Sequence, residues 1–98
     1  RPARPRLQTS WRHDSDRGRV LLRVEQTHEI TDGAASSFTF TLPVVIVTED
    51  GEELERSVTP ERRRELFEIA CESVAIDVRI DPDRTLDGLV EFEQDGGR

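Results

Sequence analysis

Phe38-Thr39-Phe40-Thr41-Leu42-Pro43-Val44-Val45-Ile46-Val47 is the most apolar run in a chain that is otherwise acidic and studded with arginine. Side chains alternate across a strand, so Phe38, Phe40, Leu42, Val44 and Ile46 share one face and Thr39, Thr41, Pro43, Val45 and Val47 the other. The first half reads as a half-buried strand, apolar inside and threonine outside. The second half is apolar on both faces, so Pro43, Val45 and Val47 are a candidate interface that a partner or a second domain would cover. Pro43 has no N–H to donate, which predicts an edge position or a bulge.

Outward from this run, the apolar residues gather into short alternating stretches. Leu7, Thr9 and Trp11 share a face of a first strand, with Trp11 as a core anchor. Asp14-Ser15-Asp16-Arg17-Gly18 is a turn. The next stretch, Arg19 to Thr27, alternates cleanly, with Val20, Leu22, Val24 and Gln26 inward and Arg19, Arg23 and Glu25 outward. His28 to Ser37 reads as a polar loop. Glu49-Asp50-Gly51-Glu52 predicts a tight hairpin, and Leu54 to Val58 is its return strand.

Thr59 to Val74 supports two readings. Thr59-Pro60-Glu61 has the chemistry of a helix start, and Leu66, Phe67, Ala70, Cys71 and Val74 fit a helical stripe. The same residues allow a strand over Arg63–Cys71, with Phe67, Ile69 and Cys71 on one face. Beyond it, Val74, Ile76, Val78 and Ile80 alternate with Ala75, Asp77 and Arg79 as a further strand. Asp81-Pro82-Asp83 stops that strand, Leu86 and Leu89 fold back on the core, and Val90 and Phe92 form a short last strand. Short strands separated by turn signals predict an all-β fold, a β-sandwich. The organisation is a linker over 1–6, the β-sandwich domain over 7–93 and a tail over 94–98.

Ninety-eight residues make one domain, and the formal charge is −7. Residues 1 to 23 hold seven arginines against Asp14 and Asp16, a balance of +5, which leaves −12 for the rest. Every basic residue is Arg and none is Lys. An acidic, lysine-free surface suits a chain kept soluble in high salt, and high genomic GC accounts for it equally. An acidic body argues against nucleic acid as a partner, since duplex binding needs a basic face. Arg1 to Arg6 reads as a solvated linker. Cys71 is the only cysteine, so an internal disulfide is excluded. Its apolar setting predicts a buried, inert thiol. No run approaches membrane-spanning length, and no membrane partner is expected. The chain opens with Arg rather than Met or a signal peptide, which suggests an excised domain. The compartment stays open, with the cytoplasm ahead of the periplasm.

Motifs with catalytic or metal chemistry are few. His28-Glu29 begins like the zinc-peptidase motif His-Glu-x-x-His, but the fifth position is Asp32. His13 is the only other histidine, too little for a structural zinc site. The span from Asp83 through Asp87 and Gly88 to Gln94 nearly spells a calcium loop. Thr85 stands at the third ligand position, however, and Gln94 replaces the bidentate Glu. Asp81 and Asp83 are better read as shaping a turn. Glu52, Glu53 and Glu55 form a solvated hairpin face. Ser10, Ser15, Ser36, Ser37, Ser57 and Ser73 have no base and orienting acid around them in sequence. No catalytic, cofactor-binding or metal-binding residues are assigned.

Val24-Glu25-Gln26-Thr27, then Phe40-Thr41-Leu42-Pro43-Val44, an Asp-Gly hairpin, Phe67-Glu68-Ile69 and Val78-Arg79-Ile80-Asp81-Pro82-Asp83 with Leu86 follow one another in a telling order. The chain from Leu7 to Phe92 thereby resembles the β-sandwich domain that follows the catalytic domain in the aminopeptidase-N-like zinc metallopeptidases (gluzincins). Val44 stands where that family often has Leu, and Glu29–Ser37 departs in composition. The resemblance implies an immunoglobulin-like sandwich of about seven short strands, with a strand rather than a helix over Arg63–Cys71. It implies a non-catalytic accessory domain whose partner is the catalytic domain of the same parent chain. The family's zinc motif and its Gly-x-Met-Glu-Asn motif belong to that preceding domain, so the zinc would sit there and no catalytic residue carries over. The alternative is a free-standing adhesion or ligand-binding module of immunoglobulin or carbohydrate-binding type.

Overall fold

The structure is a computed structural model and describes residues 6–27, 39–86 and 90–92. Residues 1–5, residues 28–38 with the His28-Glu29 motif and Phe38, residues 87–89 of the calcium-like sequence, and residues 93–98 lie outside the described residues.

Among the described residues the strands run in order: β1 (Arg6–Asp14), β2 (Arg19–Gln26), β3 (Leu42–Thr48), β4 (Glu53–Val58), β5 (Arg64–Ala70), β6 (Ala75–Ile80) and the two-residue β7 (Glu91–Phe92). They form two sheets, ordered β5-β2-β1-β7 and β4-β3-β6. Pairing is antiparallel throughout except for β7, which runs parallel to β1 beside Arg6 and Leu7. The described residues contain no helix. The fold is therefore all-β and sandwich-like, as the alternation predicts.

The inward rows of the two sheets meet in one core. Leu7, Val20, Leu22, Val24 and Ile69 come from the larger sheet, and Leu42, Val44, Ile46, Val58 and Val78 from the smaller. Trp11, Phe40, Leu54 and Phe67 pack around its margin, partly exposed. Gln26 is also inward and buried. Its backbone N–H donates to Arg63 O at 2.7 Å and its side-chain amide to Arg62 O at 3.3 Å, so the polar group is satisfied at the end of the strand. Leu21 points outward by parity yet is only 5% exposed. Its cross-strand neighbours are Arg12 and Glu68, and it shares a hollow on that face with Arg12, Arg23 and Leu66.

Several expectations change. The strand read over Phe38–Val47 begins at Leu42, because its partners run out: β4 stops at Val58 before Thr59-Pro60, and β6 stops at Ile80 before Asp81-Pro82. β3 is the central strand of its sheet, so Pro43 lies at neither an edge nor a bulge. Pro43 O accepts from Asp81 N at 2.8 Å. The N–H that proline lacks would have pointed the same way, toward Asp81 O, but that carbonyl accepts from the Arg84 N–H at 3.0 Å, so no acceptor is left unpaired.

Thr59 to Val74 is not helical. β5 pairs with β2 from Arg19↔Ala70 to Glu25↔Arg64. Without it, β2 would be an edge strand holding four fully or nearly fully buried core residues, and this tertiary demand overrides the local helix signals.

The alternation read over Val74–Ile80 also breaks. Opposite Val47 and Thr48 of β3, the β6 partners are Asp77 and Ala75, so Ile76 is the extra residue of a bulge. Ala75 is buried, whereas Val74 is 41% and Ile76 59% exposed.

Candidate functional site

Pro43, Val45 and Val47 form one row on the outer face of the small sheet, each half-buried. Pro43 faces Ser57 across the ladder, Val45 lies between Glu55 and Arg79, and Val47 between Glu53 and Asp77. The Arg79 guanidinium stands 3.7 Å from both Asp77 and Glu53, so charged side chains from both flanking strands fence the apolar row. The expected cover is therefore supplied in part by the neighbours' own stems.

The basic end sits on the opposite side. Arg12 and Arg23 are exposed on the outer face of the larger sheet, beside Ser10, Leu21 and Leu66. Arg19 on that face is tied down. Its Nε lies 3.0 Å from Asp14 and its Nη1 2.6 Å from Glu68. The hydrogen bond from Arg19 holds the Asp14 carboxyl below its ordinary value. The Val45 row and the arginine face thus look away from each other, across the thickness of two sheets.

The hairpin and the 71–74 turn are joined by a small polar network. Thr48 Oγ1 donates to Asp50 Oδ1, and Ser73 Oγ donates to Asp50 Oδ2 at 3.1 Å. The Glu52 N–H returns to Thr48 Oγ1 at 3.2 Å. The bonds from Thr48 and then Ser73 hold the Asp50 carboxyl below its usual value. Gly51 takes φ +90, the conformation for which the Asp-Gly pair is chosen.

Asp81 is a turn-maker, as its sequence position suggests. It has φ 47 and is only 5% exposed. Oδ1 accepts from the Thr85 N–H at 2.9 Å and from Thr85 Oγ1 at 2.7 Å, and Oδ2 from the Leu86 N–H at 2.9 Å. Burial works to raise its pKa, but these bonds outweigh it and the net direction is down. Cys71 is buried, its Sγ–H donates to Ser73 O at 3.1 Å, and burial pushes the thiol's pKa up, the direction of an unreactive cysteine. Among the described residues, no group of three or more His, Cys, Asp or Glu converges to hold a metal ion.

One feature escapes strand-by-strand reading. β4 and β5 are sequence neighbours but belong to different sheets, and a cleft of about 540 Å³ opens between their edges, lined by Arg56, Val58, Phe67 and Ile69 among others. Only the assignment of β4 and β5 to separate sheets reveals it. Set against known proteins, the chain matches no family model, and no curated protein matches it.

Proposed function

We propose that the chain is a non-catalytic accessory domain, an immunoglobulin-like β-sandwich that braces the catalytic domain of a zinc aminopeptidase-like protein. The single observation behind this reading is the half-buried row Pro43, Val45, Val47 on the outer face of a sheet. An apolar row at the centre of a charged face is what a docking surface requires. The motif order that resembles the aminopeptidase-N-like family supports the choice of partner. Its segments fall at the end of β2, the start of β3, in β5 and at the end of β6. In this reading the zinc and all the catalytic residues belong to the preceding domain, and the role here is mechanical.

Hydrogen exchange on the chain alone and on its parent protein tests the proposal. Protection of the Val44–Val47 amides should rise in the parent. Equal protection in both would remove the physical basis of bracing. The second reading, a free-standing ligand-binding module, is favoured by the cleft between β4 and β5. A parent reading frame that encodes no zinc motif upstream would select it.

A further inference from the structure

The exposed edges of the two sheets are not alike. β6 carries the bulge at Ile76, a device that blunts an edge, and β1 gives part of its edge to β7. β4 and β5 have neither. Their registers run without interruption, from Leu42↔Val58 to Val47↔Glu53 and from Arg19↔Ala70 to Glu25↔Arg64. Neither contains proline. Among the described residues, no backbone group of β4 or β5 bonds to any segment outside its own sheet. Among the described residues the β5 edge therefore presents a regular row of unpaired N–H and C=O groups, whereas on the β4 edge the Glu55 carbonyl already accepts from Arg56 Nη1 at 2.8 Å.

These two regular edges face the same space. The 540 Å³ cleft continues into a second lobe of about 310 Å³, and both lobes are lined by Arg56 and Ala70. The first lobe has Val58, Phe67 and Ile69 along it, and the second Leu54 and Cys71. At the far end stand Glu52 and Glu72, neither of which has an ion-pair partner among the described residues. Glu68, by contrast, is already held by Arg19. The trough thus combines an apolar floor, an unsatisfied hydrogen-bonding edge and two free carboxylates at one end.

We propose that this trough takes an extended peptide, added as a further strand on the edge of β5, with alternate apolar side chains on Phe67 and Ile69 and a basic residue meeting Glu52 and Glu72. β5 is the receiving edge because its outward row includes Leu66, 52% exposed, and the small Ala70, so both faces of an added strand meet apolar surface. The outward row of β4 is Glu53, Glu55 and Ser57, which offers none. At about 3.3 Å per residue, β5 matches a peptide of about seven residues. Main-chain bonds supply affinity in this mode, and alternate side chains supply specificity. The proposal rests on the sheet edges and not on the family resemblance, so it stands or falls separately from the bracing role.

The test is titration of the ¹⁵N-labelled chain with three synthetic heptapeptides that alternate Val and Thr and end in Lys, Thr or Glu. Saturable shifts at the Arg64–Ala70 amides are expected, with the Lys-ended peptide binding about tenfold more tightly than the Glu-ended one. Methylating the alternate peptide amides that face β5 should weaken binding by about tenfold or more. Leu66→Lys, an exposed change, should weaken it while leaving the spectrum of the free chain folded. The proposal is overturned if no peptide gives saturable shifts at about 1 mM, if the shifts map elsewhere, or if the methylated peptide binds equally. Concentration-dependent protection of the same amides without peptide would also overturn it, by showing that the edge pairs with a second copy of the chain.

Discussion

Nη1 of Arg79 on β6 lies 3.7 Å from Oε2 of Glu53 on β4, so the two side chains reach toward each other across the outer face of β3, above Val45 and Val47. Both are more than half exposed, and an ion pair in such a setting contributes about 0–1 kcal/mol. Its effect here is geometric. It narrows the apolar row without sealing it. Arg79→Ala should change the urea midpoint of the chain by the equivalent of less than about 1 kcal/mol. A larger loss would mean that the guanidinium stem, rather than its charge, holds the sheet together.

Val45→Glu separates folding from docking. In the chain alone the new carboxylate is half-exposed between Glu55 and Arg79, and should cost less than about 1 kcal/mol. In the proposed parent it would be buried without a partner and weaken docking by a few kcal/mol. Calorimetric titration of the chain into the separated catalytic domain reads the second effect and urea denaturation the first. An unchanged affinity would place the interface elsewhere.

The bulge on β6 makes a sharp distinction between two isoleucines. Ile46 is fully buried at the centre of β3, whereas Ile76 is 59% exposed. Ile46→Ala should therefore cost about 2–5 kcal/mol. Ile76→Ala should fall within about 0.5 kcal/mol of the parent sequence. If the two substitutions cost the same in denaturant titrations, Ile76 is inward and the bulge is not there.

Removing the Asp81 carboxylate leaves the Thr85 and Leu86 N–H groups without acceptors, so Asp81→Ala should destabilise by about 1–3 kcal/mol in urea. Asp81→Asn should cost less, because asparagine tolerates φ 47 and keeps one acceptor oxygen.

Acid should loosen this fold. The carboxyls of Asp14, Asp50 and Asp81 all lie below their ordinary value of 3.8. A carboxyl with a lowered folded pKa adds stability that is complete above its unfolded value and is lost as pH falls through the folded value. Urea midpoints taken between about pH 6 and about pH 2 should hold steady and then drop below about pH 4. The drop should be shallower in Asp81→Asn. A midpoint that rises toward low pH would contradict the direction assigned to all three groups.

Gly51, with φ +90, closes the β3–β4 turn and has nothing within 4 Å of where a Cβ would stand. The cost of Gly51→Ala is thus conformational and not steric, about 1–2 kcal/mol by chemical denaturation. No loss of stability would show that the turn can change type.

The alternation of apolar residues by itself determined the all-β class, the inward row Val20, Leu22, Val24, Gln26, the core row Leu42, Val44, Ile46, and the Asp-Gly hairpin. Each depends on neighbours one or two residues away, where the period of a strand is written directly in the side chains. The turn at Asp81 was legible for the same reason. Tertiary structure decided the rest. Thr59–Val74 carries helix signals, and its Arg64–Ala70 portion became a strand because β2 needed a second partner for its backbone. Ile76 turned outward because β6 had to fit one extra residue against β3, a mismatch that no single strand records. Pro43 could sit in a central strand because the carbonyl its missing N–H would have reached, Asp81 O, is taken by the Arg84 N–H. The cleft between β4 and β5 exists because consecutive strands joined different sheets. Which sheet a strand joins is settled by the packing of two whole sheets over one core, and no local run of residues contains that information.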